Sequence, residues 1–289
     1  LSAMDHTPVP AVVAGLSAVA ARYNALLCDG WGVIHNGVGH FPSAVAALVR
    51  FRAAGGIVIL ITNAPRPAWS VRDQLDGLRV DRRAYDRIVT SGDVAASLIA
   101  LRGVSAVHHV GPDRDLPLYR DVAVTLVGVD EAALVCCTGL VDDETETAED
   151  YDPLLDRCLR HDLEMICANP DIVVDRGGKL IPCAGAIAER YAAMGGRVTI
   201  VGKPLARIYD VALAEIAAVA GRAVETGEIL AIGDGAETDI RGANDAGIAS
   251  LFIASGVHAS EYGEETEHIL DFLGSREARV MGVMPRLIW

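Results

Sequence analysis

The 289-residue sequence predicts an α/β protein, a doubly wound parallel-sheet core with a second α/β domain inserted into it. Three observations carry this. Short apolar runs alternate with helix-length segments, the pattern of strands buried on both faces by crossover helices. That pattern occupies both ends of the chain, and from about residue 105 to 182 it gives way to closely spaced strand-like runs and an acidic stretch. The composition is apolar yet poor in aromatics, with 29 glycines and a positive mean hydropathy, which suits a soluble globular chain rather than a disordered or fibrous one.

In chain order, residues 9–21 are apolar, lack a basic leader and are too short to span a bilayer, so they read as a helix leading into the first strand. Residues 25–28 read as a buried strand. Residues 42–54 have apolar positions at helical spacing, Pro42 at the start and Gly55-Gly56 at the end, so start and stop signals agree on a helix. A strand over 57–61 follows, and 87–90 with 93–101 repeat the strand and helix theme. In the middle, 107–111, 122–127, 134–137 and 165–168 read as strands, and 142–150 as a solvated acidic loop or helix start with little functional weight. After Gly195-Gly196 the first texture resumes: a strand over 198–201, a proline-started helix over 204–220, a strand over 229–233, a helix from Asp239 and a strand near 251–254. The expected division is therefore a core of residues 1–92 and 197–289 interrupted by 93–196.

A formal net charge of −14 with no basic stripe argues against nucleic acid as a partner, because such binding rests on cationic side chains displacing counterions. An acidic protein handling an anionic substrate needs a local positive charge, which a divalent cation and one lysine can supply. The six cysteines lie mostly in apolar runs without paired CxxC spacing, so buried, reduced thiols in a cytoplasm are expected rather than a zinc site or disulfides.

Four fragments carry candidate chemistry. Asp29 follows the strand 25–28 and precedes Gly30-Trp31-Gly32, which places it at the carboxyl end of a strand, where open parallel sheets bind ligands. Thr62-Asn63 ends the strand 57–61, where a hydroxyl and backbone amides can hold an anionic oxygen. Lys203 follows the strand 198–201, and Asp234 and Asp239 flank a glycine loop after the strand 229–233, a hard oxygen site suited to Mg²⁺. Taken singly, Asp29 also reads as a turn aspartate, Thr62-Asn63 as a cap pair and Lys203 as a surface lysine.

Together, in this order, they resemble the four motifs of the haloacid dehalogenase (HAD) superfamily. Residues 32–37, the run Ala168-Asn169-Pro170-Asp171 and Val201-Gly202-Lys203-Pro204 resemble its type IIA members, the nucleotide, sugar phosphate and nitrophenyl phosphatases, whose cap is inserted between the second and third motifs. The resemblance implies a Rossmann-like core with a C2-type cap and hydrolysis of a small phosphorylated metabolite. It also implies Asp29 as the nucleophile that forms an aspartyl-phosphate. Mg²⁺ would be held by Asp29, the Trp31 backbone carbonyl and Asp234. Thr62, Asn63 and Lys203 would hold phosphoryl oxygens, and Asp239 would support the metal shell or Lys203. A homodimer is left open, and no membrane partner is implied.

The sequence departs from this pattern at Trp31. Phosphatases of the superfamily usually carry a second aspartate two residues after the nucleophile to protonate the leaving oxygen and activate water, and an indole does neither. Weak turnover of alkyl phosphates is the expectation, since general acid-base help is worth about 10²- to 10⁴-fold. His35 is a candidate substitute acid, though a packing role suits it better. Two alternatives stay open: a metal-free 2-haloacid dehalogenase, in which an aromatic residue also follows the nucleophile, and a phosphometabolite-binding or regulatory protein with impaired catalysis. Asp234 and Asp239 argue against the dehalogenase, because carboxylates beside a metal-free carboxylate nucleophile oppose it.

Overall fold

The computed structural model describes residues 11–256, 259–263 and 265–289. Its strands run β1 (Ala11–Val12), β2 (Ala25–Cys28), β3 (Ile57–Thr62), β4 (Arg87–Thr90), β5 (Ala106–Val110), β6 (Thr125–Leu126) and β7 (Leu134–Cys137). They continue as β8 (Glu164–Cys167), β9 (Val173–Arg176), β10 (Lys179–Pro182), β11 (Arg197–Ile200), β12 (Ile229–Gly233), β13 (Ala249–Ile253) and β14 (Gly282–Met284). Seven of them form a large sheet in the order β1-β14-β13-β12-β2-β3-β4, and five form a smaller one in the order β11-β8-β7-β5-β6. Every neighbouring pair in both sheets is parallel, and β9 and β10 make a separate antiparallel hairpin.

The continuous apolar runs explain the large sheet. β2 and β12 are buried at every residue, as strands covered on both faces must be. Alternation then sorts their side chains into two cores. Leu26, Cys28, Leu60 and Ile232 pack with Leu48 and Phe51 of the helix Pro42–Ala53 on one face. Leu27, Ile59, Ile61 and Ala231 pack on the other with Leu98 and Ile99 of the helix Ser91–Arg102 and Ile208 and Ile216 of the helix Ala206–Ala220. This second core is continuous with Val107, Leu134, Cys136 and Ile166 of the smaller sheet, so one apolar cluster joins the two sheets. The far face of the smaller sheet is covered by the helices Asp152–Arg160 and Ala184–Ala193.

Three expectations are corrected. The helix expected over 9–21 is absent where described: Ala11 and Val12 pair with Gly282 and Val283, short 3₁₀ turns follow, and residues 9 and 10 lie outside the described residues. Tertiary pairing overrides the local apolar pattern, and Leu16 N donates to the Ile288 carbonyl at 2.8 Å, tying the segment to the other end of the chain. The strand after Gly196 does not resume the large sheet. Arg197–Ile200 pairs with β8 at the edge of the smaller one, and its mixed burial carries no sign of which sheet it joins. Of the strand expected over 122–127, only Thr125–Leu126 pairs. All six cysteines are buried and unpaired. Among the described residues no helix is long and apolar enough to cross a membrane.

Candidate active site

β2 sits between β12 and β3, and the chain leaves it toward β3 and returns to its other side only at β12. Parallel sheets bind ligands at the carboxyl edge of such a switch point. Asp29, Thr62-Asn63 and Asp234 stand there on three adjacent strands. Asp29 N extends the ladder by donating to the Ile232 carbonyl at 2.8 Å, and beyond it the chain turns. Gly32 makes the turn with φ +83°, and a Cβ at that position would overlap the Asp234 carboxylate.

Lys203 reaches this edge from the smaller sheet. Its Nζ donates to Asp29 Oδ1 and to Asp239 Oδ1, both at 2.6 Å, and all three side chains are buried. Asp239 Oδ2 accepts from Gly235 N at 3.1 Å, so both of its oxygens are engaged. One carboxylate oxygen from each of Asp29, Asp234 and Asp239 falls within 4.8 Å of the others. Three buried carboxylates thus lie together, and one ammonium pairs with two of them. Burial opposes the charge on Lys203, but Asp239 and Asp29 outweigh it and hold the ammonium well above its ordinary value. Burial pushes the Asp29 carboxyl up, Lys203 pulls it down, and Asp239 and Asp234 push it up again. A divalent cation fits a donor set of this kind, since its charge relieves the surplus of carboxylates and its preference is for oxygen.

Asn63 clips three distant segments together. Its Oδ1 accepts from Lys203 N at 2.7 Å, and its Nδ2 donates to Asp171 Oδ1 at 2.9 Å. Ser91 Oγ donates to the Asn63 carbonyl at 2.8 Å and also contacts the Ala168 carbonyl. Asn169 Oδ1 accepts from Asp171 N at 3.1 Å, so Asn-Pro-Asp is a turn as well as part of the site's wall. Thr62 Oγ1 accepts from Ala64 N at 3.2 Å and, with Asn63, opens onto a cavity of about 320 Å³.

Trp31 is tied to the hairpin and to His35. Its Nε1 donates to the Asp175 carbonyl of the β9–β10 hairpin at 2.7 Å, and its ring meets His35 edge-on with centroids 5.1 Å apart. His35 is buried and Nδ1 accepts from Gly37 N at 3.1 Å, which leaves a ring proton on Nε2. Burial, aided by Arg66, lowers it to about 4, so the ring is neutral at ordinary pH.

The cavity also gathers residues the sequence reading did not single out: Arg66, Arg114, Asp115, Asp143 and Arg176. Asp143 belongs to the acidic stretch given little functional weight, yet it is buried beneath two arginines. The available signal was positional. Arg66 lies three residues beyond Asn63, and Asp175-Arg176-Gly177-Gly178 reads as a hairpin turn near the site.

Fold and site together define a doubly wound parallel-sheet protein with a buried carboxylate, Asp29, at the switch point as the candidate nucleophile. The haloacid dehalogenase-like hydrolase family matches residues 26–125, and a second HAD-hydrolase-like family matches residues 200–275. A haloacid dehalogenase-like hydrolase from Brucella suis 1330 is 46% identical, with 95% of this chain and 99% of that one covered and a TM-score of 0.87. The chain belongs to the haloacid dehalogenase-like hydrolases. The 5'-nucleotidase YutF of Bacillus subtilis is 23% identical over 259 residues, covering 87% of this chain and 96% of the relative. A 4-nitrophenylphosphatase from Thermotoga maritima shares the fold at 21% identity and a TM-score of 0.70, with 93% and 96% covered. It falls in the group that the sequence motifs resemble.

Proposed function

We propose that this hydrolase is a Mg²⁺-dependent phosphatase for a small phosphorylated metabolite, with Asp29 as nucleophile. The observation that carries the reading is the buried Asp29–Lys203–Asp239 chain with the Asp234 carboxylate within the same 4.8 Å cluster. Phosphatase names among its relatives support it. In this reading Asp29 attacks phosphorus and the alkoxide leaves, so one hard displacement becomes formation and hydrolysis of an aspartyl-phosphate. Lys203, Thr62 and the Asn63 backbone amide meet the phosphoryl oxygens with donors already fixed in place. Asp29, Asp234 and the Trp31 carbonyl would hold Mg²⁺, whose charge offsets that of those oxygens. Asp239 keeps Lys203 charged and aimed. The smaller sheet and the hairpin act as the cap that selects the metabolite.

Trp31 and His35 leave the leaving group without a good proton donor. The indole is committed to the Asp175 carbonyl, and a neutral imidazole is a weak acid. Turnover of alkyl phosphates should be slow and that of nitrophenyl phosphate less affected, because nitrophenolate leaves with little protonation. The same tryptophan favours a second reading, in which the chain binds a phosphometabolite and scarcely turns it over. A screen of sugar phosphates, nucleotides and nitrophenyl phosphate, with and without Mg²⁺, decides between them. Hydrolysis that needs Mg²⁺ and disappears in Asp29→Asn supports the phosphatase, and tight binding with no turnover of any ester supports the second reading.

A further inference from the structure

The cavity beside Thr62 and Asn63 holds more cationic donors than transfer of one phosphoryl group uses. Arg66, with 18% of its side chain exposed, donates from Nη2 to Gln74 Oε1 at 2.6 Å, and its Nε stands 3.6 Å from Asp115 Oδ1, beyond hydrogen-bond length. A guanidinium carries five N–H donors, so most of those on Arg66 have no protein acceptor among the described residues. Arg114 and Arg176 line the same space, joined by Asp143, which accepts from Arg114 Nη2 at 2.5 Å and from Arg176 Nη2 at 2.7 Å. Burial holds the Arg66 guanidinium below its ordinary value, Asp115 opposes this, and Arg114 and Arg176 add to it.

The nearby carboxylates balance this charge without using up its donors: Asp115 stands beside Arg66, and Arg176 also reaches Glu144 Oε1 at 3.2 Å. Asp143 is shared between two arginines, and Asp171 accepts from Asn63. Burial pushes Asp115 up to about 6, so it stays mainly ionised at neutral pH, yet at 3.6 Å from Arg66 Nε it takes no hydrogen bond from the guanidinium. A partly buried guanidinium with unused donors is costly unless an acceptor arrives, and its planar fork matches a carboxylate or phosphate.

The geometry points to a second anion site: the cavity takes a phosphomonoester that carries a carboxylate or another phosphate a few bonds from the reacting phosphorus, gripped by Arg66 and flanked by Arg114 and Arg176. The inference rests on the phosphatase reading for the position of the first phosphate. Both anions are then met at the carboxyl ends of strands, the first from the large sheet. The second is met beyond β5, β7 and β8, where Arg114, Thr138 and Asn169 stand.

Matched pairs test it: 3-phosphoglycerate against glycerol 3-phosphate, and fructose 1,6-bisphosphate against fructose 6-phosphate, with nitrophenyl phosphate as the general substrate. One charged hydrogen-bonded group is worth about tenfold to a hundredfold. The expected result is a preference of that size in kcat/KM for the more anionic member of at least one pair, and the pair showing it tells carboxylate from phosphate. In Arg66→Met the ratio should fall to near one; because it is a ratio, a general loss of activity cancels. Calorimetry on Asp29→Asn protein should show the same ranking in Kd.

Hydrolysis of nitrophenyl phosphate with no preference in either pair overturns the second site and leaves the phosphatase standing. So does a preference that survives Arg66→Met. No hydrolysis of any ester removes the phosphatase reading instead. The calorimetric ranking then decides the anion site, and equal binding or none within each pair overturns it.

Discussion

In the phosphatase reading an acid two residues beyond Asp29 would protonate the leaving oxygen; Trp31 stands at that position and gives its indole N–H to a hairpin carbonyl. Trp31→Asp should raise kcat on glycerol 3-phosphate by on the order of 10²-fold, the low end of what general acid-base help supplies, and change nitrophenyl phosphate turnover little. An unchanged ratio of the two rates would sink the missing-acid account. A second residue-scale expectation concerns pH. His35 falls to about 4 from 6.5, so its contribution to stability is present above pH 6.5 and lost as pH drops toward 4. Asp115 rises to about 6 from 3.8, so its contribution is present at low pH and lost as pH climbs from 3.8 through 6. Each amounts to about 3 kcal/mol with opposite sign, and the two largely cancel in the intact protein. Urea midpoints between pH 4 and 7 should therefore fall more steeply on acidification in Asp115→Asn than in the parent, and less steeply in His35→Gln. Parallel profiles for all three would show that neither group is coupled to folding. The motif residues were legible because each closes an apolar run. The arginines were not, since a guanidinium in a loop looks the same in sequence whether it meets water or a cavity.

At the scale of elements, the turn after β2 and the glycine loop after β12 press against each other. Gly32 sits at φ +83° with no room for a Cβ beside Asp234, and Gly256 abuts the same carboxylate. Gly32→Ala should cost about 1–2 kcal/mol in backbone strain and, if the carboxylate cluster binds Mg²⁺ as proposed, weaken that binding by about tenfold or more as Asp234 shifts, read by calorimetric metal titration. Undiminished metal affinity would mean that this contact does not position the carboxylate. Helices with clear punctuation were legible: Pro42 and Gly55-Gly56 bracket a helix ending at Ala53, and Gly221 closes the one ending at Ala220. The helix Ala68–Gly77 was passed over, its apolar positions being few and its start lacking a side-chain cap. The helix expected over 9–21 misled because the apolar residues from Ala11 onward serve an edge strand and 3₁₀ turns that only pairing with the C-terminal strand explains.

For the whole molecule, the apolar cluster shared by both sheets predicts a single cooperative unfolding transition, with fluorescence and far-UV circular dichroism coinciding. If the carboxylate cluster binds Mg²⁺, an excess of 100 times Kd adds about 2.7 kcal/mol, or roughly 5 °C in Tm for a chain of this size. Asp234→Asn should abolish that increment; a shift that persisted would place the ion elsewhere. The alternation of strands and helices gave away the doubly wound sheet, while the membership of Arg197–Ile200 was hidden, because a half-exposed edge strand fits either sheet by pattern. That membership has a consequence for engineering. Lys203 stands three residues past the end of β11, anchored to Asn63 through its own backbone amide, so the ammonium that faces Asp29 is delivered by the smaller sheet. A chimera that grafts a foreign cap onto this core imports its own spacing for the lysine. Transplanted selectivity will therefore carry a rate penalty unless the splice is made between β11 and Lys203, so that the lysine and the amide that donates to Asn63 are kept from this chain.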